Sequence, residues 1–351
     1  MTAVLPRIDD ATLEVVRTGR RRRGRRRAVA VAVMVALIVV LFGAMLMLGN
    51  TIYPVSDVIA VLTGQQVPGA SFTVGTLRLP RALTAVLVGI AFGVAGSTFQ
   101  TMLRNPLASP DVIGITSGAS AAAILSLVVL HWSTTATMGL SLVAGIATAL
   151  VIYLAARGGE STGGRLILIG IGVGAMLDAV VAFLLLRAAV WDVAVAMRWM
   201  TGSLNGSRME AIPPLAIAVI VIVPVVLLLG RNLRMLELGD ASATALGVRV
   251  DLTRVLLVVA AVALACFATA TTGPIAFVAF LAGPIAARIV GPGSPAIVPA
   301  ALTGAILVLG ADLLGQFAFD TKFPVGVITG ILGAPYLIYL LIRTSRRGGS
   351  S

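Results

Sequence analysis

Hydrophobic residues in this chain fall in long unbroken blocks. They show neither the three-or-four spacing of an amphipathic helix nor the alternation of a half-buried strand, and charge gathers between the blocks. A block of about twenty apolar residues is long enough to cross a bilayer as a helix. The pattern predicts ten such spans, near 28–49, 82–103, 111–130, 137–156, 166–187, 212–230, 255–272, 275–290, 296–317 and 325–342. Pro54, Ser56 and Asp57 predict the start of a short interfacial helix after the first span. Asp111 marks the start of the third span, and Phe323-Pro324 opens the last. The segment carrying Trp191, Trp199, Gly202 and Ser203 reads as irregular. The loop 157–165 reads as short and flexible, and 291–295 as a turn.

The stretch from Arg78 to Ser120 organises the rest. Its span carries charge only near the ends, at Arg78, Arg81 and Arg104. Gly89, Gly93, Gly96 and Ser97 offer a small-residue face that another helix can approach closely. Gln100 would be costly against lipid, so it should face protein or a water-filled path. The run Asn105-Pro106-Leu107-Ala108-Ser109-Pro110 cannot continue a helix. Irregular backbone at membrane depth needs protein or a cavity around it. A second break, Thr271-Thr272-Gly273-Pro274, precedes another short span. The two broken regions run in opposite directions through the membrane, as an inverted five-plus-five repeat requires.

Composition agrees. The chain has 351 residues, 58% hydrophobic and 11% charged, with mean hydropathy +1.05. These values describe an all-α polytopic membrane protein rather than a soluble domain or a barrel of alternating strands. The net charge of +12 does not indicate nucleic acid, because seven arginines lie between Arg20 and Arg27, flush against the first span. Such a block is a topology and lipid-headgroup signal. With the N-terminus inside, 20 of the 26 Lys and Arg residues fall on the inner side and six on the outer, so both termini are expected in the cytoplasm. The first span is too long for a signal-peptide core and reads as retained. The expected organisation is a partly disordered basic tail at 1–27, a membrane domain at 28–343 and a short tail at 344–351.

Candidate chemistry is sparse. Cys266 and His131 are each the sole residue of their type, which excludes a disulfide or a Cys/His metal cluster within the chain. Cys266 reads as a core residue. There is no nucleophile–His–carboxylate set, no HExxH and no phosphate-binding GxxxxGK[ST], so the chain is not read as an enzyme. It binds no cofactor on this reading and provides a path. Gln100, Asn105, Asp178 and Asp312 read as buried polar groups, with helix packing favoured over proton relay. The polar insertion 231–254 contains turn and cap signals at Gly239, Asp240 and Gly247. On residues alone, an ordinary surface loop and a motion-transmitting helix pair weigh about equally. Arg78, Arg81 and Lys322 read, on residues alone, as headgroup-snorkelling cations. An ion-coupled secondary transporter, working through Asp178 or Asp312, is the competing class.

RLPR at 78–81, RNPLASPDVIG at 104–114, LGDASATALGV at 238–248, GPIAFVAF at 273–280 and FPVGVITGILGAPY at 323–336 together resemble the FecCD-type permeases. These are membrane subunits of ABC importers for ferric siderophores, haem and cobalamin. The resemblance spans about 30–343 and implies the type II importer permease fold. It implies partners: a second permease copy or a related permease, two ATP-binding ABC subunits that use the ATP, and an extracytoplasmic siderophore-binding protein. Leu238, Gly239, Asp240, Ala243, Leu246 and Gly247 are implied to seat the ATPase. Arg78, Arg81 and Lys322 are implied to dock the binding protein, although Gln316 stands where the family often has an arginine. Gln100, Asn105, Pro106 and Leu107 are implied to line and gate the path. The motifs look most like the ferric-siderophore members, of the enterobactin-like branch, with cobalamin or haem as alternatives. The metal would stay within its chelate, so no protein metal ligands are expected.

Overall fold

The computed structural model describes residues 10–111, 114–156, 162–291 and 296–348. Most of the predicted loop 157–165 and of the turn 291–295 lies outside the described residues. The helices are α1 (Asp10–Met47), α2 (Val55–Leu62), α3 (Leu79–Met102), α4 (Ile115–Ile124), α5 (Thr134–Ala156), α6 (Thr162–Arg187) and α7 (Val190–Met200). They continue with α8 (Ile212–Leu228), α9 (Gly230–Leu236), α10 (Asp240–Ala245), α11 (Val250–Thr272), α12 (Val278–Val290), α13 (Ile297–Phe317) and α14 (Val325–Gly348). A wider π-helical stretch, Ser71–Arg78, leads into α3, and another, Leu125–Val129, extends α4. Among the described residues, seven helices are long and apolar enough to cross a membrane. Three shorter apolar ones, at 115–129, 278–290 and 325–340, complete the predicted ten.

Four expectations change. The basic segment is not separate from the first span: α1 runs unbroken from Asp10 through the arginines, which are good helix formers. Asp111 does not start a helix; α4 begins at Ile115, after Gly114. The segment around Trp191 is helical, because Val190–Met200 has no breaker and carries Asp192 in its first turn, where an acid suits the helix dipole. Span eight begins at Val278 rather than 275, because Gly273 and Phe277 both take positive φ and Pro274 cannot donate.

α3, α11 and α13 form the interior, while α1, α5, α6 and α8 expose most of their surface. The seam between α3 and α13 is backbone against backbone, as the small-residue face predicts. A Cβ added to Gly89 would lie 2.5 Å from the Ala305 Cα, and one added to Gly93 would overlap the Ala300 carbonyl. Close approach of this kind is how helices associate when lipid removes the hydrophobic driving force between them. Cys266 is buried where α11 meets α5, facing Gly145.

Both breaks carry the chain into the bundle. Gly96, 17 residues along α3 from Leu79, packs against Ala279 in the first turn of α12. At 1.5 Å per residue, α12 therefore starts about 26 Å below the end of the bundle that holds Arg81. Gly114, at the start of α4, packs on Gly170 and Gly174 of α6, roughly 12–18 Å from the opposite end. Two short helices starting inside the bundle from opposite ends match the expected inverted repeat.

Candidate functional site

At one end of the bundle the cations are tied into the fold. Arg81 donates from Nε to Asp312 Oδ2 at 2.8 Å and from Nη2 to Oδ1 at 2.7 Å. Asp312 is fully buried on α13. Gln316, one turn further on, donates to the same carboxylate at 2.6 Å, and Arg81 Nη1 reaches Asn205 Oδ1 in the α7–α8 connection at 2.6 Å. The carboxylate read from sequence as a buried packing group thus has a charged partner, 231 residues away. Arg78 donates to the carbonyls of Leu46, Met47 and Thr51 at 2.7–2.9 Å, and its guanidinium lies over the Tyr53 ring. It satisfies carbonyls that the end of α1 leaves open. Lys322 is exposed and only loosely held, 3.4 Å from Asn50 Oδ1.

The other end holds the break after α3 and the polar insertion. Asn105 folds its own turn: its Oδ1 accepts from the Leu107 N–H at 2.9 Å, and its N–H donates to Gln100 O at 3.0 Å. Pro106 is exposed at the tip of that turn. Leu107 packs into the apolar cluster of Phe280, Leu281 and Leu340. Gln100 is buried and donates to Phe280 O at 2.9 Å, fastening α3 to α12. Asn105, Pro106 and Leu107 are therefore contiguous, with Gln100 one turn deeper, and the group meets α12 and α14.

The insertion forms the helix pair α9–α10. Gly239, at φ 99°, makes the corner between them, in a region that side chains rarely adopt. Gly247, at φ 84°, ends α10 with two capping bonds, Gly247 N–H to Thr244 O at 2.9 Å and Val248 N–H to Ala243 O at 3.0 Å. Ala243, Leu233 and Leu236 are buried against the bundle, whereas Leu238 (64%) and Leu246 (57%) are exposed. Asp240 accepts from Arg254 at 3.0 Å, pinning α10 to α11. Partial burial raises the pKa of Glu237, beside the corner, against the opposing pull of Arg234.

Asp178 lies elsewhere. It is exposed midway along α6, not buried as its place in an apolar run suggested. Hydropathy locates a span but does not say which of its faces is covered. Sequence reasoning also missed Asn205 and Gln316 as partners in the Arg81 network; RLPR and AD falling at the same end of their spans was the available signal. Arg26 was missed as well: it donates to the Ile289 and Arg288 carbonyls at 3.3 and 3.4 Å, closing the end of α12.

Comparison with known proteins places this geometry. The model of the FecCD transport family matches residues 36–343. The ferric enterobactin transport system permease protein FepG of Escherichia coli is 44% identical over 294 residues, which is 83% of this chain and 89% of that protein. The achromobactin transport system permease protein CbrC of Dickeya dadantii is 40% identical over 340 residues, 94% of this chain and 96% of that one. A solved structure described as a metal-chelate type ABC transporter in an inward-facing conformation superposes with a TM-score of 0.80. It is 24% identical and covers 89% of this chain and 98% of that one, which fixes the fold. With its ten spans, two opposed breaks and corner-turned helix pair, this chain belongs to the FecCD transport family and is an ABC importer permease close to the siderophore permeases.

Proposed function

We propose that the chain carries ferric-siderophore chelates across the cytoplasmic membrane by alternating access, driven by two ATP-binding subunits seated on α9–α10. The observation that carries this reading is that helix pair. It packs on the bundle through Leu233, Leu236 and Ala243, turns on two positive-φ glycines, is pinned by Asp240–Arg254, and presents Leu238 and Leu246 to solvent. Exposed leucines beside polar residues suit a protein partner better than a surface loop. The end with 20 of the 26 cations, which includes both termini, faces the cytoplasm on this reading.

The opposite end receives an extracytoplasmic siderophore-binding protein. Lys322 is its most available cation, with Arg78 and Arg81 held beside it. A carboxylate exposed at mid-span on α6 is costly against lipid. Asp178 therefore faces a water-filled path shared with a second permease copy or a related permease. Gln100, Asn105, Pro106 and Leu107 form the part of the path wall that moves when α4 and α12 shift, with Leu107 closing it by shape.

The substrate class follows the two relatives above, both of siderophore systems. Cobalamin and haem are the alternative cargoes. Radio-iron uptake from a siderophore panel, beside labelled cobalamin and haem, in cells with and without the chain, tests the substrate. Loss for one ferric-siderophore class is expected; loss only for cobalamin or haem overturns the substrate and leaves the mechanism. Gly239→Val with Asp240→Arg should abolish co-purification of the ATPase. An intact complex with normal uptake would sink the seating.

A further inference from the structure

Where α1, α3, α9 and the start of α13 meet, the bundle leaves a recess of about 350 Å³. Three guanidinium groups line it, from Arg27, Arg231 and Arg234, against one carboxylate, Glu237. Neither Arg27 nor Arg231 makes an ion pair among the described residues. Arg234 lies 3.4 Å from Gly230 O of its own helix and pulls on Glu237 without an ion pair among the described residues. Three positive charges therefore face one carboxylate here, and the excess is not paired by the fold.

The lining supplies a second, independent sign. Ser97 is 2% exposed and lines the recess, yet its hydroxyl has no hydrogen-bond partner among the described residues. Thr101, one turn along α3, lines it with a second hydroxyl that is unbonded among the described residues. A hydroxyl that opens into the recess can donate to a ligand held there. Arginines that merely snorkel to a headgroup layer need neither a concavity nor a free hydroxyl at its wall. Leu228, the last residue of α8, is 82% exposed at the rim and continues the apolar surface of that helix. The recess thus joins guanidiniums and hydroxyls, which suit phosphate oxygens, to an apolar track.

The geometry points to a binding site for a phosphate-bearing anion in this recess, filled in the membrane by the headgroup of an acidic phospholipid whose chains follow α8. Basic pockets between spans at the cytoplasmic level hold such headgroups. The ligand would tie α1 and α13 to α9, the helix that leads into the Gly239 corner. The site does not depend on the transported cargo or on the ATPase seating.

The test uses the purified full chain in detergent, with native mass spectrometry of bound phosphatidylglycerol, cardiolipin and phosphatidylcholine. Phosphatidylglycerol or cardiolipin should be retained over phosphatidylcholine. The triple variant Arg27→Gln/Arg231→Gln/Arg234→Gln should bind the acidic lipid about a hundredfold more weakly, at roughly fivefold per arginine. Arg20→Gln/Arg21→Gln/Arg22→Gln, an equal charge change on the exposed turns of α1, should retain it. Ser97→Leu fills the recess with every charge intact and should lose it too. Displacement by millimolar inorganic phosphate would assign the site to a free anion instead of a lipid. Equal loss in both triple variants, or no preference over phosphatidylcholine, would overturn the site.

Discussion

The two ends of this bundle use arginine in opposite ways. At the Asp312 end, Arg81 and Arg78 are consumed by the fold, one by a buried carboxylate and one by the open carbonyls of α1. At the other end, most of the chain's arginines crowd together, and Arg27 and Arg231 form no ion pair among the described residues. The difference shows that a cation beside a span has no fixed meaning. Where a carboxylate or an open run of helix-end carbonyls is within reach in the folded protein, the cation is structural; where neither is, it remains available to lipid or partner.

The sharpest way to break the comparison is to remove one member of the buried pair. Asp312→Ala leaves the Arg81 guanidinium largely desolvated and without its counter-ion, which should cost about 3–5 kcal/mol, read as an earlier unfolding transition in detergent. Arg81→Met combined with Asp312→Leu should recover most of that loss, since an apolar pair of similar volume replaces a buried ion pair at little cost. If the single variant unfolds like the parent, Asp312 does not hold this end. At the basic end the expected effects are smaller. Gly247→Ala places a side chain at φ 84° and should cost roughly 1–2 kcal/mol, seen as faster hydrogen exchange across 240–248. Arg254→Ala removes a half-exposed pair and should cost under about 1 kcal/mol. Smallest for stability is Lys322→Glu, which should leave unfolding unchanged while weakening association with an acidic binding-protein surface in a salt-dependent manner. Unchanged affinity across ionic strengths would remove Lys322 from the docking surface.

What the sequence disclosed follows the range of the interactions. The Gly239 corner and the Gly247 cap were readable because each is decided within five or six residues. The α3–α13 seam was readable as a need for close approach, from Gly89 and Gly93, though not as a choice of α13. The Arg81–Asp312 pair was not readable, because nothing local in either segment names a partner 231 residues away. The exposure of Asp178 escaped for a related reason: a span apolar all round does not say which face another helix covers. The depth at which α4 and α12 begin also came only from contacts with α6 and α3. A Pro/Gly break shows where a helix stops and leaves open how far the chain travels before the next one starts.

The seam between α3 and α13 has one more consequence, for assembly rather than for transport. α3 belongs to the first half of the inverted repeat and α13 to the second, and they meet where Gly89 and Gly304 have no side chains to rearrange. Each half thus supplies the other's innermost wall. The seam is shared, so neither half completes its own interior alone. Expressed as two fragments, they would have to find each other before either became a folded object.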